Sequence, residues 1–180
     1  VRLGEGVKRV VGPFAGDGLQ EDRVRQEIVG LLGKFRRRHR FAARHAGNVA
    51  DVFKHLVLIQ VLEALRLKET PFCVIDTHAG SGLYRLQAPG EFEQGIGRLW
   101  PARAEWPQLA AYFGLLASLN RNALNAYPGS PWIIRALLRP QDRAVFIERH
   151  PEEAAALRDN LQGSRGITIN EADAWAALKG

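Results

Sequence analysis

Residues 73–84, CVIDTHAGSGLY, decide the fold, because a short apolar run ends there in Asp76 and in a turn that contains Gly80 and Gly82. The apolar part, residues 72–75, does not alternate with polar residues, which is typical of a strand covered on both faces. It predicts a central parallel strand of an α/β sheet, with the single cysteine, Cys73, buried in it. The glycines allow the backbone to turn sharply and to approach a ligand beyond the carboxyl end of the strand.

Two further apolar runs later in the chain also lead to acidic residues. RAVFIE (143–148) predicts a second buried strand that ends in Glu148, and GITINE (166–171) predicts a third strand that leads to Asp173. Residues 88–129 interrupt the rhythm with a helical stretch and aromatic residues that we interpret as a small local core. The order is βαβαβ with a helical insertion after the first strand, which predicts a Rossmann-like α/β half-sheet.

A long helix is predicted before the first strand, in HAGNVADVFKHLVLIQVLEALRLKE. Asn48 is a plausible N-cap, and from Leu56 onward the helix is apolar nearly all round, so we expect it to be largely buried. In its first two turns, an arc of about 120° is polar. The residues of that arc are Asn48, Asp51, Lys54 and His55. They form either the wall of a site or a solvent-exposed helix end.

Composition and charge narrow the class of protein. The 180 residues are 46% hydrophobic and include one cysteine, with a net charge of +6 and a pI of about 10.0. The apolar runs are far shorter than the roughly 20 residues that a membrane span needs. We therefore expect a cytoplasmic protein without a membrane anchor. We also predict that it is a monomer. The basic cluster Lys34–Phe41, followed by Arg44, favours contact with phosphate groups.

The motifs together resemble one family. Asp76-x-x-x-Gly80-x-Gly82 looks like the first motif of class I S-adenosylmethionine-dependent methyltransferases. HAGNVADVFKH, DTHAGSGLY, YPGSP, ERHP and EADAW, in this order, closely resemble the methyltransferase J family, which N6-methylates an adenine of 23S ribosomal RNA. The resemblance runs from about Arg38 to the last residue. It implies a class I methyltransferase fold, S-adenosyl-L-methionine as cofactor, 23S ribosomal RNA as partner and no metal.

The resemblance also implies which residues bind the cofactor. They are His55, His78, Ser130, Glu148, Asp173 and Ala174. Glu148 would hold the ribose hydroxyls, and Asp173 and Ala174 the adenine end; a carboxylate at a strand tip can accept from both hydroxyls. Ala174 stands where the family has glycine, which leaves less room for the adenine. Arg37 stands where the family's RNA-contacting tyrosine would fall.

The catalytic turn of such enzymes, Asp-Pro-Pro-Tyr, is not found, since the sequence contains no Pro-Pro pair. We therefore expect that turn beyond Gly180, and a fold that is incomplete at the carboxyl end. On this interpretation residues 1–36 are a loosely ordered basic leader. Residues 37–180 are a partial methyltransferase domain with its helical insertion at 88–129, and these 180 residues alone are inactive.

Other functions remain open. The main alternative is a catalytically dead, truncated relative that binds RNA through the basic cluster. A nicotinamide-dependent oxidoreductase is disfavoured, because Arg85 occupies the place of the third glycine of its motif. A metal site could use suitable ligand types, namely those of His45, Asp51, His55 and His78, but no accompanying motif supports it.

Overall fold

The computed structural model describes residues 44–179. The helices are α1 (Val49–Arg66), α2 (Ile96–Leu99), α3 (Ala110–Leu119), α4 (Ser130–Leu137), α5 (Pro151–Asn160) and α6 (Ala174–Lys179). The strands are β1 (Cys73–Asp76), β2 (Leu83–Arg85), β3 (Ala126–Pro128), β4 (Arg143–Glu148) and β5 (Ile167–Glu171). As predicted, Asn48 caps α1: its side chain accepts a hydrogen bond of 2.9 Å from the Asp51 N–H.

β1, β4 and β5 form a parallel sheet in that order. The crossover helices α4 and α5 lie on the same face of it, since a Cβ added to Gly82 would meet both Pro131 of α4 and Leu157 of α5. The sheet residues on this face include Ala144 and Phe146, which are buried in the core. This arrangement confirms the predicted Rossmann-like half-sheet and brings the carboxyl ends of the three strands to one edge.

The helical insertion after β1 is also present. It contains α2, α3 and 3-10 turns at Glu91–Gln94, Arg103–Glu105 and Pro107–Leu109. Tyr112 and Phe113 of α3 are buried, and the Tyr112 hydroxyl lies 3.1 Å from that of Tyr127. Burial raises the pKa of both tyrosines. Ile96 N–H donates to the carbonyl oxygen of Gly47 at 2.9 Å, so the insertion is docked against the turn that begins α1.

A small two-stranded antiparallel sheet, β2–β3, was not predicted from the sequence. The helical insertion connects its two strands. Tyr84 is paired with Tyr127, and the Gly129 N–H donates to the Gly82 carbonyl at 2.8 Å. Each strand has three residues, which is too few for an alternating pattern to stand out. This small sheet matters because it links the glycine turn to α4. β2 follows the turn, the insertion connects β2 to β3, and β3 leads to the start of α4.

The prediction that β1 is buried on both faces differs from the structure. In the described part of the chain β1 pairs only with β4, Cys73 is exposed and Ile75 is 53% exposed. The side chains that share this sheet face include Val145, which is half-buried, and Thr168, which is exposed. We call this side of the sheet, with Cys73, Ile75, Val145 and Thr168, the open face.

The prediction that α1 is buried nearly all round is wrong for one side of the helix. Its buried residues are Val52, His55, Ile59 and Leu62. A row of large apolar residues on another side is 40–68% exposed. We call this row the apolar stripe; it consists of Val49, Phe53, Val57, Val61 and Leu65. Apolar composition predicts the capacity for burial, and the partner that would bury this side is not among the described residues.

An ion pair between Arg139 and Asp142, which we call the Arg139–Asp142 latch, connects the carboxyl end of α1 to the start of β1. The Arg139 guanidinium bonds both carboxylate oxygens of Asp142, at 2.8 and 3.0 Å. It also donates to carbonyl oxygens in and after the last turn of α1, those of Arg66, Lys68 and Thr70. Asp142 is buried and accepts from the Phe72 N–H at 3.2 Å, and its bonds to Arg139 lower its pKa to about 2.

Candidate functional site

Asp76, the last residue of β1, joins the glycine turn to the start of α4. One carboxylate oxygen accepts from the His78 N–H at 3.1 Å, and the other accepts from the Ser130 hydroxyl at 2.6 Å. Ser130 is the first residue of α4, which begins shortly after β3. The sequence had marked Asp76 as the acid that opens the turn, without a role in positioning Ser130. The structure thus brings two of the predicted cofactor residues, His78 and Ser130, to the same carboxylate.

Glu148, the last residue of β4, ties the same turn to the second strand. It is 7% exposed, and its two oxygens accept from the Gly80 N–H and the His150 N–H, each at 2.8 Å. These two bonds satisfy part of the hydrogen-bonding capacity of a buried carboxylate and hold it in one orientation. Each oxygen keeps a further acceptor position. The carboxylate can therefore still bind two hydroxyl groups of a ligand.

The two glycines of the turn are required by the protein's own packing. Gly80 has φ +63° and Gly82 has φ +76°, a backbone conformation that favours glycine. A Cβ at Gly80 would overlap the hydroxyl of Tyr84, and one at Gly82 would lie 2.7 Å from a methyl carbon of Leu157. The sequence had explained the glycines by close approach to a ligand. In the structure their close approach is to Tyr84 and to α5, which fixes the path of the turn.

His55, on the buried side of α1, faces β3. Its ring stacks on Tyr127 with centroids 5.2 Å apart, and it is 7% exposed. Burial lowers its pKa to about 4, so the imidazole is neutral at physiological pH. Its Nδ1 atom is buried and has no hydrogen-bond partner among residues 44–179. Such an atom suits a ligand that donates to it or accepts from it.

Asp173 and Ala174 follow β5 at the same edge of the sheet. Asp173 accepts from the backbone N–H groups of Trp175 and Ala176, at 3.0 and 3.2 Å, and so begins α6. Ala174 is buried, and the Arg149 guanidinium lies 3.7 Å from Asp173. Because Glu171 of β5 is paired with Glu148, both predicted adenine residues stand beside the end of β4.

The predicted polar arc at the head of α1 is divided. Asp51 accepts from the Gly47 N–H at 3.0 Å and pairs with Lys54 at 2.7 Å, while the Asn48 amide donates to Glu91 of the insertion at 2.8 Å. The hydrogen bond from the Asn48 side chain is the main cause of a lowered pKa at Glu91. Of the arc, only His55 is buried, and its Nδ1 atom has no hydrogen-bond partner among the described residues. Glu91 carried no signal in the sequence, since no motif links it to Asn48.

Within residues 44–179 no group of three or more His, Cys, Asp or Glu side chains is arranged to hold a metal ion. In the same range, no helix combines the length and the apolar character that a membrane crossing requires. Most of the basic cluster, Lys34–Phe41, and Arg37 within it, lie outside the described residues.

The fold and this edge of the sheet define the class of protein. A parallel half-sheet, a glycine turn after β1 and a carboxylate at the end of β4 form the Rossmann-like fold of class I S-adenosylmethionine-dependent methyltransferases. The model of one family, ribosomal RNA large subunit methyltransferase D, RlmJ, matches residues 69–180. The chain therefore belongs to this family, which confirms the resemblance found in its motifs.

Individual relatives agree with the family match. The chain is 44% identical over 132 residues to ribosomal RNA large subunit methyltransferase J of Haemophilus influenzae, which covers 69% of this chain and 47% of that protein. It is 40% identical over 148 residues to the Escherichia coli protein of the same name, covering 79% and 52%. A Legionella pneumophila crystal structure is 36% identical with a TM-score of 0.71, covering 74% of this chain and 51% of that one. The chain spans about half the length of the curated relatives it matches.

Proposed function

We propose that this chain provides the S-adenosylmethionine-binding part of an enzyme that N6-methylates an adenine of 23S ribosomal RNA. The observation that carries the proposal is the position of Glu148. Its buried carboxylate is held at the carboxyl end of β4 by the N–H groups of Gly80 and His150. Ligands of such α/β sheets bind at this edge. The names of the relatives support an RNA methyltransferase.

The residues of the candidate site fit this cofactor. When bound, S-adenosylmethionine supplies the methyl group that is transferred. Glu148 accepts from the ribose hydroxyls with the acceptor positions left free by its backbone donors. Asp173 and Ala174 bind the adenine end, while Ser130, oriented by Asp76, and His78 hold the amino-acid part with the turn. The unpartnered Nδ1 of His55 provides one more polar contact.

The catalytic group is proposed to come from outside these 180 residues. The sequence contains no Pro-Pro pair, and the family resemblance implies that the Asp-Pro-Pro-Tyr turn follows Gly180 in the complete enzyme. We expect residues 1–180 alone to transfer no methyl group. The enzyme is expected to act as a cytoplasmic monomer, to use no metal and to contact RNA through the basic cluster. The division into a leader, 1–36, and a partial domain, 37–180, stays a prediction.

The function is tested with a chimaera in which residue 180 is followed by the part of the Escherichia coli relative that lies beyond the matched segment. We expect the chimaera to transfer labelled methyl groups to unmodified 23S ribosomal RNA, and residues 1–180 to transfer none. A chimaera that unfolds cooperatively and binds the RNA, yet transfers nothing, would favour the catalytically dead alternative. Transfer by residues 1–180 would show that the catalytic group is misassigned.

Glu148 provides a sharper test within the chimaera. Glu148→Ala is expected to weaken S-adenosylmethionine binding by about 1.5–3 kcal/mol, the usual range for hydrogen bonds to a charged group. Isothermal titration calorimetry measures this loss. Glu152→Ala, which removes an exposed carboxylate four residues along the chain, is the matched control and should leave the affinity unchanged. Equal affinity for both variants would remove Glu148 from the site.

A further inference from the structure

The turn that begins α1 is interlocked with the helical insertion through two glycines. A Cβ added to Gly95 would lie 2.2 Å from the carbonyl oxygen of Gly47. A Cβ added to Gly47 would lie 2.9 Å from a methyl carbon of Ile96. Distances under 3.0 Å leave no room for a side chain, so the two glycines allow the backbones of the two segments to lie in direct contact. We call this contact between residues 45–48 and residues 91–96 the glycine interlock.

The carboxylate of Glu91 holds both ends of the turn in the interlock. The Nδ1 atom of His45 lies 2.5 Å from one oxygen of Glu91, and the Asn48 amide donates to the other oxygen at 2.8 Å. Between these two residues, the Gly47 carbonyl accepts from the Ile96 N–H at 2.9 Å. The insertion therefore bonds the turn at its first residue, at its last residue and in between, which leaves the turn little freedom to change direction.

The glycine interlock lies between the candidate site and the basic cluster. On the side of the site, a Cβ at Gly47 would lie 3.3 Å from the ring of Tyr127, on which His55 stacks. On the other side, Arg44 is exposed, and the basic cluster, Lys34–Phe41, ends three positions before it in the sequence. Six of the eleven residues from Lys34 to Arg44 are Lys or Arg, a density that favours phosphate groups. The chain thus passes from this cluster into the fold beside the wall of the site that carries His55.

We propose that the glycine interlock positions the basic cluster for binding to RNA, and that Glu91 and Gly95 are positioning residues that act through the turn at residues 45–48. A fixed point of attachment reduces the conformational freedom that binding must remove, so the phosphate contacts of the cluster give a higher affinity. The proposal rests on the proposed contact between the basic cluster and 23S ribosomal RNA. It gives the helical insertion a task in RNA binding that does not require the insertion itself to touch the RNA.

Glu91→Ala in the chimaera separates positioning from charge, because the two predict opposite signs. Removal of a negative charge strengthens binding to a polyanion if charge alone matters. If Glu91 positions the basic cluster, Glu91→Ala should instead bind unmodified 23S ribosomal RNA about threefold to tenfold more weakly, measured by filter binding at one salt concentration. Glu105→Ala removes another exposed acid of the insertion and is the matched control, which should bind the RNA at least as tightly as the parent. Glu91→Gln keeps an acceptor for the Asn48 amide and should restore most of the affinity.

Gly95→Ala tests the backbone contact directly. The added Cβ would overlap the Gly47 carbonyl oxygen, so we expect the affinity for RNA to fall by about tenfold or more. The affinity for S-adenosylmethionine should stay within about threefold of the parent's, because Glu148 and Asp173 lie outside the interlock. Gly114→Ala, in α3 of the same insertion, places a Cβ that meets no atom within 4 Å, and this matched control should change neither affinity. Isothermal titration calorimetry measures the cofactor, and circular dichroism measures the Tm of each variant.

Several results would overturn the proposal. RNA affinities of Glu91→Ala and Gly95→Ala equal to the parent's would do so, and tighter binding by Glu91→Ala would show that Glu91 acts only through its charge. Equal losses of cofactor and RNA affinity with a lower Tm would reduce the interlock to a structural contact. Where Gly95→Ala does not fold, the Glu91 variants decide alone.

The proposed function would fail in a different way. A parent chimaera that binds RNA but transfers no methyl group would contradict the methyl transfer, while the RNA affinities of the variants would still rank as above. A parent whose RNA affinity is unchanged after deletion of residues 1–43 would remove the basic cluster from the RNA contact, and the role of the interlock with it.

Discussion

At the scale of single residues, the sequence predicted which side chains stand at strand ends but not how they are connected. Asp76, Glu148 and Asp173 each follow an apolar run, and parallel strands bring such residues to one edge. The bond from Ser130 to Asp76 joins residues 54 positions apart, so no local pattern contains it. Nδ1 of His55 likewise has no hydrogen-bond partner because the ring packs against Tyr127. Tyr127 lies in the two-stranded sheet, which the sequence did not predict.

Asp76 and Ser130 are expected to act as a unit in cofactor binding. In the chimaera, Asp76→Ala and Ser130→Ala should each weaken S-adenosylmethionine binding by roughly 1–2 kcal/mol, since a hydrogen bond to a charged group is lost. The double variant should be little weaker than the more affected single variant, because the hydroxyl is oriented only while Asp76 is present. Calorimetric titration of the four proteins gives the coupling energy. Fully additive losses would show that the two residues act separately.

His55 is expected to bind the cofactor as a neutral imidazole. Its pKa is about 4, below the usual 6.5, so the neutral form that persists above that pKa is present throughout pH 5.5–8. His55→Phe keeps the stacking on Tyr127 and removes Nδ1, and should weaken cofactor binding by about 1 kcal/mol. The same loss is expected at pH 5.5 and at pH 8. A loss confined to the lower pH would mean that the charged form binds, and stoichiometric zinc in the purified protein would support a metal site instead.

At the scale of elements, predictions succeeded where the pattern was local and failed where a neighbour decides the outcome. The N-cap at Asn48 and the strand that ends at Glu148 depend on adjacent residues, and both are present. The burial of α1 depends on what packs against it. A helix with apolar residues on several sides is half exposed here, since the described residues cover only the side that carries Ile59 and Leu62.

The Arg139–Asp142 latch should make stability depend on acid pH. The pKa of Asp142 is lowered from 3.8 to about 2 in the folded protein, so its contribution is complete above about pH 4 and is lost as the pH falls through 2. Asp142→Asn should reduce the free energy of unfolding of the chimaera by about 2 kcal/mol at pH 7, and by much less near pH 2. Urea denaturation across this range measures the difference. Asp159→Asn, at an exposed aspartate, is the control, and an effect of Asp142→Asn that does not change with pH would exclude the ionised latch as its cause.

At the scale of the whole molecule, the apolar run of residues 72–75 predicted a central strand, while the described residues place β1 at an edge. The predicted central position and the observed edge position agree if a further strand pairs with β1. An exposed edge and open apolar surfaces remove burial that contributes about 25 cal/mol per Å², against a total stability of roughly 5–15 kcal/mol. We therefore expect residues 1–180 alone to unfold broadly and to aggregate, and the chimaera to unfold in one sharp transition by circular dichroism.

The apolar stripe predicts that one pair of substitutions affects the stability of these two proteins differently. Val57 and Val61 are 47% and 51% exposed in the described structure, so Val57→Gln with Val61→Gln should leave the unfolding of residues 1–180 unchanged and reduce their aggregation. If the added polypeptide of the chimaera covers the stripe, the same pair should lower the free energy of unfolding by about 2–4 kcal/mol, because two polar groups replace buried apolar ones. Ile59→Gln is the control: Ile59 is 1% exposed, and its loss should destabilise both proteins. Light scattering and urea denaturation measure the two effects. A chimaera that tolerates the double substitution as well as residues 1–180 do would mean that the stripe stays in solvent.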